Sequence, residues 1–429
     1  MPLRNDPLAR HGLRIFLLLC LAYLFVPFHR VSPAVMAVDI MREMGIGAPA
    51  MGALASVFFF TFGCMQLPSG LLADSLGPRR TLPLFFFLAG AGALLFGLSP
   101  AMTGLIAGRA LMGFGVSVVF ICGIKLISRW FAPQAFARMS GVYLGMGGLG
   151  LILGSGPMAH LIALVGWRTS LILSAGLTFA ISAALWFFVR DTPEELGLAS
   201  PFGALQPAPS RSTPAELLVS VRLICKSRDF WLIALWFFCQ FSIHMSFGGL
   251  WGGPYLMDVH GLTRTEAGGV MNMMGLGMLA GGPFTGWLSD SVFRARRPVM
   301  ILNALALAGL FALLCLAGGG WPRFALYAWF FALAACGMGS LSVGFASVRD
   351  LFGDKATGTG GGLLNTFPSF GVALFQPLTG YILESQGRGP SGFAPEAYAL
   401  AGLFYAGVAL AGLAGALLAR EPMGRAQRP

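Results

Sequence analysis

Apolar residues along this chain come in long runs, not in the period-two alternation of a half-buried strand or the three–four spacing of a surface helix. Each run is about 20 residues long, the length a helix needs to cross the hydrocarbon core of a bilayer. The runs fall at 13–39, 50–72, 82–99, 103–128, 140–164, 169–189, 229–257, 266–288, 298–318, 322–346, 359–384 and 396–419. The pattern therefore predicts an all-α membrane protein with twelve transmembrane helices. Most breaks between runs are short, so consecutive helices are expected to pack as antiparallel neighbours. One break is long. Residues 190–228 carry Pro193, Pro201, Pro207, Pro209 and Pro214, the composition of a linker. It divides the chain into two six-helix halves, 1–189 and 229–429. Within it, Thr213-Pro214-Ala215-Glu216 reads as a helix start with proline in the first turn, and 215–228 is expected to be a short interfacial helix.

The halves repeat one another. Gly70-Leu71-Leu72-Ala73-Asp74-Ser75-Leu76-Gly77-Pro78-Arg79-Arg80 joins the second and third runs. Gly286-Trp287-Leu288-Ser289-Asp290, followed by Arg294, Arg296 and Arg297, joins the eighth and ninth. Asp74 and Asp290 stand 216 residues apart in a chain of 429, so the repeat predicts pseudo-symmetric halves. Glycines crowd the fifth and eleventh runs, where small residues let membrane helices approach closely. Gly156-Pro157 can bend the fifth.

Composition agrees. The chain is 56% hydrophobic and 10% charged, against about 25% charged in soluble domains, and its mean hydropathy is +0.76. A net charge of +11 invites a nucleic-acid reading, but its distribution serves a different purpose. With the N-terminus in the cytoplasm, 20 of the 28 lysines and arginines fall in cytoplasmic segments and five on the opposite side. That bias is the positive-inside rule. It predicts a multi-pass protein of the plasma membrane (the inner membrane, in a bacterium) with both termini cytoplasmic. The first run is read as a retained span, since it contains His29 and Arg30 and a second run follows. The seven cysteines form no C-x-x-C pair and read as small apolar residues. No P-loop, H-E-x-x-H or G-x-S-x-G occurs, so neither an enzyme nor a resident cofactor or metal is expected.

The candidate chemistry lies in polar groups inside apolar runs. Arg30 is the sharpest, because an arginine at mid-membrane costs about 2.5–3.5 kcal/mol on insertion scales and its fork suits a carboxylate or phosphate. Its alternative role is to cap carbonyls of a helix broken near Pro33. His244 holds the equivalent region of the seventh run, with Gln240 one turn before it. Tyr23, Tyr143, Trp251, Asn365 and Gln376 complete the expected substrate-binding set. His29, His244, Asp39 and Lys125 are the candidates for coupling, through a proton or a counter-anion. Lys125, about 24 Å beyond Arg109 along its helix, is expected to reach toward the cytoplasmic interface. Gly248-Gly249-Leu250-Trp251-Gly252-Gly253-Pro254 suggests a breakable helix end.

These residues together resemble the major facilitator superfamily over the whole chain. Gly70, Asp74, Gly77, Arg79 and Arg80 fit its loop after the second span, and Gly286 and Asp290 match the degenerate copy after the eighth. Arg109 with Gly113 and Gly115 is similar to the fourth-span motif, and Gly166-Trp167-Arg168 to a frequent turn before the sixth. Arg190-Asp191-Thr192-Pro193-Glu194-Glu195-Leu196-Gly197 looks like the exit of the sixth span in organic-anion carriers. The mid-span Arg30 and Ser289-Asp290-Ser291-Val292-Phe293-Arg294 look like organophosphate:phosphate antiporters. In those carriers the seventh span has a second arginine, where this chain offers His244. The resemblance implies alternating access by a secondary active or facilitative transporter of a small organic anion. It implies that Asp74, near a helix N-terminus, and its arginines lock the cytoplasmic face, with Arg109 and Asp290 in the same gating machinery. A drug or siderophore efflux carrier is the alternative, and a transporter-like membrane sensor a second. The expected partners are a small solute and the bilayer, not nucleic acid, and the expected unit is a monomer.

Overall fold

The computed structural model describes residues 7–198, 214–317, 319–389 and 392–423. The middle of the predicted linker, 199–213, and both chain ends lie outside the described residues. The chain is helical almost throughout. α1 (Pro7–Val31) and α2 (Pro33–Met44) cover the first run, separated at Ser32 because Pro33 has no N–H for the helical ladder. α3 (Ala48–Cys64) and α4 (Gln66–Ser75) form the second, bent by 47°. α5 (Pro78–Leu98) is the third, and α6 (Met102–Val116) with α7 (Val119–Trp130) the fourth. α8 (Pro133–Phe188) runs for 56 residues but turns at Gly166, whose φ of 78° and ψ of 164° are not helical. It is two helices meeting at a glycine, and they are the fifth and sixth runs.

α9 (Pro214–Cys225) is the short helix expected in the linker. α10 (Arg228–Ser246) continues through a π turn, Phe247–Trp251, into α11 (Gly252–Asp258). The glycine-rich end of the seventh run thus stays helical with a widened turn. α12 (Arg264–Trp287) begins with a capping box: Thr263 accepts from the Glu266 N–H, and the Glu266 carboxylate accepts from the Thr263 N–H at 2.9 Å. A second π turn, Leu288–Val292, precedes α13 (Arg297–Ala317), α14 (Arg323–Phe352), α15 (Asp354–Ser385) and α16 (Pro395–Leu418). Between α15 and α16, β1 (Arg388–Gly389) pairs antiparallel with β2 (Gly392–Phe393). This ribbon is too short to leave any alternation in the sequence.

Among the described residues, eight helices are long and apolar enough to cross a membrane, or nine with the bent pair α3–α4 as one span. The twelve expected from the runs exceed that number for physical reasons. Gly166 joins two runs into one helix, and α12 and α15 are diluted in hydropathy by glycine, threonine and asparagine. Both diluted helices pack against other helices, α12 on α8 and α14 and α15 on α3. Their glycines allow it: a methyl group added to Gly52 of α3 would stand 2.6 Å from the Cα of Pro377 in α15.

Candidate functional site

A cavity opens between helices drawn from both ends of the chain. α1 lines it with Tyr23 and Arg30, α3 and α4 with Phe59, Phe62 and Gln66, and α7 with Phe120. α10 adds Phe241 and Met245, α12 Met278, α14 Met338 and Phe345, and α15 Asn365 and Ser369. Its free volume is about 100 Å³, below the 300–1,000 Å³ typical of a drug-sized ligand site. Arg30 is the sole charged side chain among its described lining residues. The guanidinium lies 4.9 Å from the Phe62 ring centroid and 5.8 Å from that of Phe59, so cation–π attraction offsets part of its desolvation. Its Nε is buried without a hydrogen-bond partner, and no carboxylate pairs with it among the described residues. The carbonyl-capping alternative has no such bond behind it either. Asn365 Nδ2 donates to Gln66 Oε1 at 3.0 Å, spanning 299 residues of sequence. The Tyr23 ring packs against that of Tyr143, tilted by 33°, with centroids 4.6 Å apart.

Of the expected substrate-binding set, Arg30, Tyr23 and Asn365 line this cavity. The other five are not among its lining residues. His244 sits against Gly337 of α14, where an added methyl would overlap its ring, and neither ring nitrogen has a partner. Gln240 donates to the Ala409 carbonyl in α16 at 3.4 Å. The Tyr143 hydroxyl donates to the Val119 carbonyl at 2.8 Å. Trp251 donates to the Gln376 carbonyl at 3.1 Å, while the Gln376 amide is buried with no partner. His29 is buried against Phe25 and Phe28. Sequence reasoning missed Gln66, Ser369 and the methionines. Gln66 carried a signal, as a polar residue inside the 50–72 run; the methionines carried none, although thioethers suit an adaptable wall.

The gating residues are engaged, with partners that differ from those expected. Asp74 lies in the last turn of α4 and pairs with Lys125, whose Nζ also donates to the Ala73 carbonyl, both at 2.6 Å. Arg79 serves another carboxylate set, its N–H donating to Asp191 at 2.9 Å and its side chain pairing with Glu195 at 3.4 Å, while Arg80 has no ion pair among the described residues. Asp191, not Asp74, is therefore the acid at the N-terminus of α5. Gly77 has φ of 79° and a methyl there would strike the Asp191 carboxylate, while Gly70 has open space around it. In the second copy Asp290 pairs with Arg296, which also bonds Asp350 at 2.8 Å. There the left-handed residue is Arg294, φ 48°, one place beyond Phe293. Arg109 ties three helices, donating to the carbonyls of His29 at 2.9 Å and Ala55 at 3.2 Å over the Phe58 ring.

On the opposite face Asp39 pairs with Arg264, so it is no free proton carrier in this conformation. Glu384 accepts from the Ala48 N–H at the start of α3 at 2.9 Å. Glu43 accepts from Trp167 and Arg168, each at 2.7 Å, and Arg168 donates on to the Ser99 carbonyl. Partial burial pushes the Glu43 carboxyl up, but the Arg168 and Trp167 hydrogen bonds and the Arg168 charge outweigh it and hold the group below its ordinary value.

Known proteins match this arrangement. The chain is 27% identical over 325 residues to the probable L-galactonate transporter of Escherichia coli (strain K12), covering 72% of this chain and 70% of that one. It is 23% identical over 398 residues to a probable hexose phosphate transport protein of Chlamydia trachomatis, covering 87% and 86%. Its fold is similar to the crystal structure of a bacterial homolog to the human lysosomal transporter Spinster, in an inward-facing, occupied conformation. That match has a TM-score of 0.72 at 16% identity over 94% of this chain and 96% of that one. The family model described as Major Facilitator Superfamily matches residues 19–315 and 237–429, and the chain belongs to that superfamily.

Proposed function

We propose that this transport protein, which is not an enzyme, moves a small organic anion, a carboxylate or a phosphate ester, by alternating access. The observation that carries the reading is Arg30: a permanently charged fork in a central cavity with no carboxylate among the described residues to neutralise it. A bound anion supplies the missing partner through charge-assisted, bidentate bonds. The named substrates of its relatives, galactonate and hexose phosphate, are anions and support the same class. The lining contains no carboxylate or imidazole among its described residues, which favours a counter-anion over a proton for the return step.

The finer architecture belongs to the same proposal. Eight apolar helices, the bent α3–α4 pair, the part of α8 beyond Gly166, α12 and α15 support twelve spans. They would form halves at 1–189 and 229–429, joined by 190–228. The basic-residue bias supports cytoplasmic termini, with the 70–80 and 286–297 loops on the cytoplasmic face and Asp39, Glu43 and Glu384 on the outer one.

The test is a thermal-shift titration of purified protein with galactonate, glucose 6-phosphate and neutral glucose, paired with uptake into proteoliposomes. The anions should raise the melting temperature and glucose should not. Arg30→Lys should weaken the shift and Arg30→Ala abolish it, with monodispersity checked alongside. Equal shifts from glucose, or an undiminished shift in folded Arg30→Ala, would overturn the reading.

A further inference from the structure

One surface feature has no part in the central cavity. Between α5 and the stretch of α8 beyond Gly166 runs a groove of about 450 Å³, lined by Pro83, Leu84, Phe87, Phe179, Trp186 and Phe187. Its floor is fixed: Ser182 donates to the Pro83 carbonyl at 2.7 Å, and the rings of Phe87 and Phe179 pack 5.0 Å apart along one wall. At its loop end the same Trp186 borders a second cleft, with Arg79 and Arg80. The two cleft walls are tied together, because Asp191 just beyond α8 holds the first turn of α5. Arg79 spends its charge on Glu195. Arg80 is exposed and has no ion pair among the described residues.

An apolar slot whose end tryptophan is shared with a cleft carrying an unpaired guanidinium has the two-part chemistry of a phospholipid. The acyl chain matches the aromatic walls. The headgroup phosphate matches Arg80 at the membrane–water boundary, where tryptophan also prefers to sit. We propose that this groove is a binding site for one anionic phospholipid, its phosphate on Arg80 and one acyl chain along Leu84, Phe87 and Phe179. Ordinary lipid-facing surface lacks both the recess and the charge, so the selectivity comes from their conjunction. The site lies against the loop that follows Asp74, so an occupied groove would brace the α5–α8 contact. Its membrane setting rests on the proposed topology.

Trp186 is the reporter. The full chain in mixed micelles is titrated with brominated phosphatidylglycerol or brominated phosphatidylcholine, and the Trp186 contribution is obtained by subtracting a Trp186→Phe variant. Phosphatidylglycerol should reach half-quenching at about one-fifth the mole fraction of phosphatidylcholine, the ratio equivalent to about 1 kcal/mol for one arginine. Arg80→Gln should erase the preference and Arg80→Lys should restore most of it. Inorganic phosphate should not displace the quencher at equal concentration, since it has no chain for the groove. Equal quenching by the two lipids, a preference that survives Arg80→Gln, or displacement by phosphate alone overturns the proposal. Micelles have no leaflets and the assay uses no solute, so failure of the topology or of the anion reading would leave this readout unchanged.

Discussion

Asp39→Asn isolates one of the contacts that join the two halves of the chain on the face opposite the 70–80 loop. Asp39 belongs to α2 and Arg264 to α12, and their side chains are 21% and 25% exposed. An exposed pair contributes about 0–1 kcal/mol, and removing one partner of a fully buried pair costs about 3–5 kcal/mol. A pair with about a quarter of its surface in water lies between, at about 2 kcal/mol. If the contact exists only while that face is closed, the whole amount enters the closed–open equilibrium. The open-to-closed ratio should then rise about 30-fold. Spin labels at Ala101→Cys and Gln386→Cys, in a background without native cysteines, read that ratio as a distance distribution. Arg264→Gln should give a similar shift. The double variant should show a coupling energy of about 2 kcal/mol rather than additive effects. An unchanged distribution in a stably folded Asp39→Asn, or a coupling near zero, would refute the latch.

Three further outcomes follow from the same contacts. Glu384→Gln should shift the same distance distribution toward open by about 1 kcal/mol, because it weakens a charge at the N-terminus of α3; an unchanged distribution would count against it. Asp74→Asn and Lys125→Met should slow transport to a similar degree while leaving anion affinity nearly intact, with no further loss in the double variant; additive losses would mean that the two residues act separately. The Glu43 carboxyl is held below its ordinary value, so its contribution is complete above that value and is lost as pH falls through the lowered one. Melting curves of the parent should therefore approach those of Glu43→Gln on acidification, and curves that stay parallel would contradict the assignment.

The helices were legible because a bilayer demands long apolar runs, and a run is a local property of sequence. Even the Gly166 break fell between two predicted runs. Arg30, Tyr23 and Asn365 were legible as polar interruptions of those runs. His244, Gln240 and Gln376 are the same kind of interruption, yet they face other helices. A helix apolar on every side gives no phase from which to read the inward direction, and each residue turns the side chain by about 100°. Partners were less legible still. Lys125 finds Asp74 across 51 residues, and Glu384 finds Ala48 across 336. Nothing in the local pattern of either residue specifies the other. The Asp191 carboxylate shows how a resemblance can name the right loop and the wrong acid: its own stretch had been singled out, but only the fold brings it to the start of α5.

The two faces are held in different ways, and the difference bears on how such a transporter switches. On the loop face, Asp74–Lys125 and Arg296 with Asp290 and Asp350 each join residues from the same half of the sequence, and Arg79–Glu195 ties the first half to the start of the linker. They stiffen each half without fastening it to the other. On the opposite face, Asp39–Arg264 and Glu384–Ala48 join residues from opposite halves. Close backbone packing near Gly52 and Pro377 reinforces them. The conformation described is therefore one latched on the face opposite the 70–80 and 286–297 loops. Reversal requires breaking those cross-half contacts, whereas the loop-face pairs can persist through the cycle. Arg30 and Asp39 flank the Ser32–Pro33 break on the same run, so on the proposed reading an anion drawn to Arg30 would act on the segment that carries one side of the latch. Binding can bias the latch only to the extent that Arg30 holds the anion differently in the two states. Arg30 and Asp39 are accordingly the pair whose combined substitution measures whether solute and gate are energetically linked.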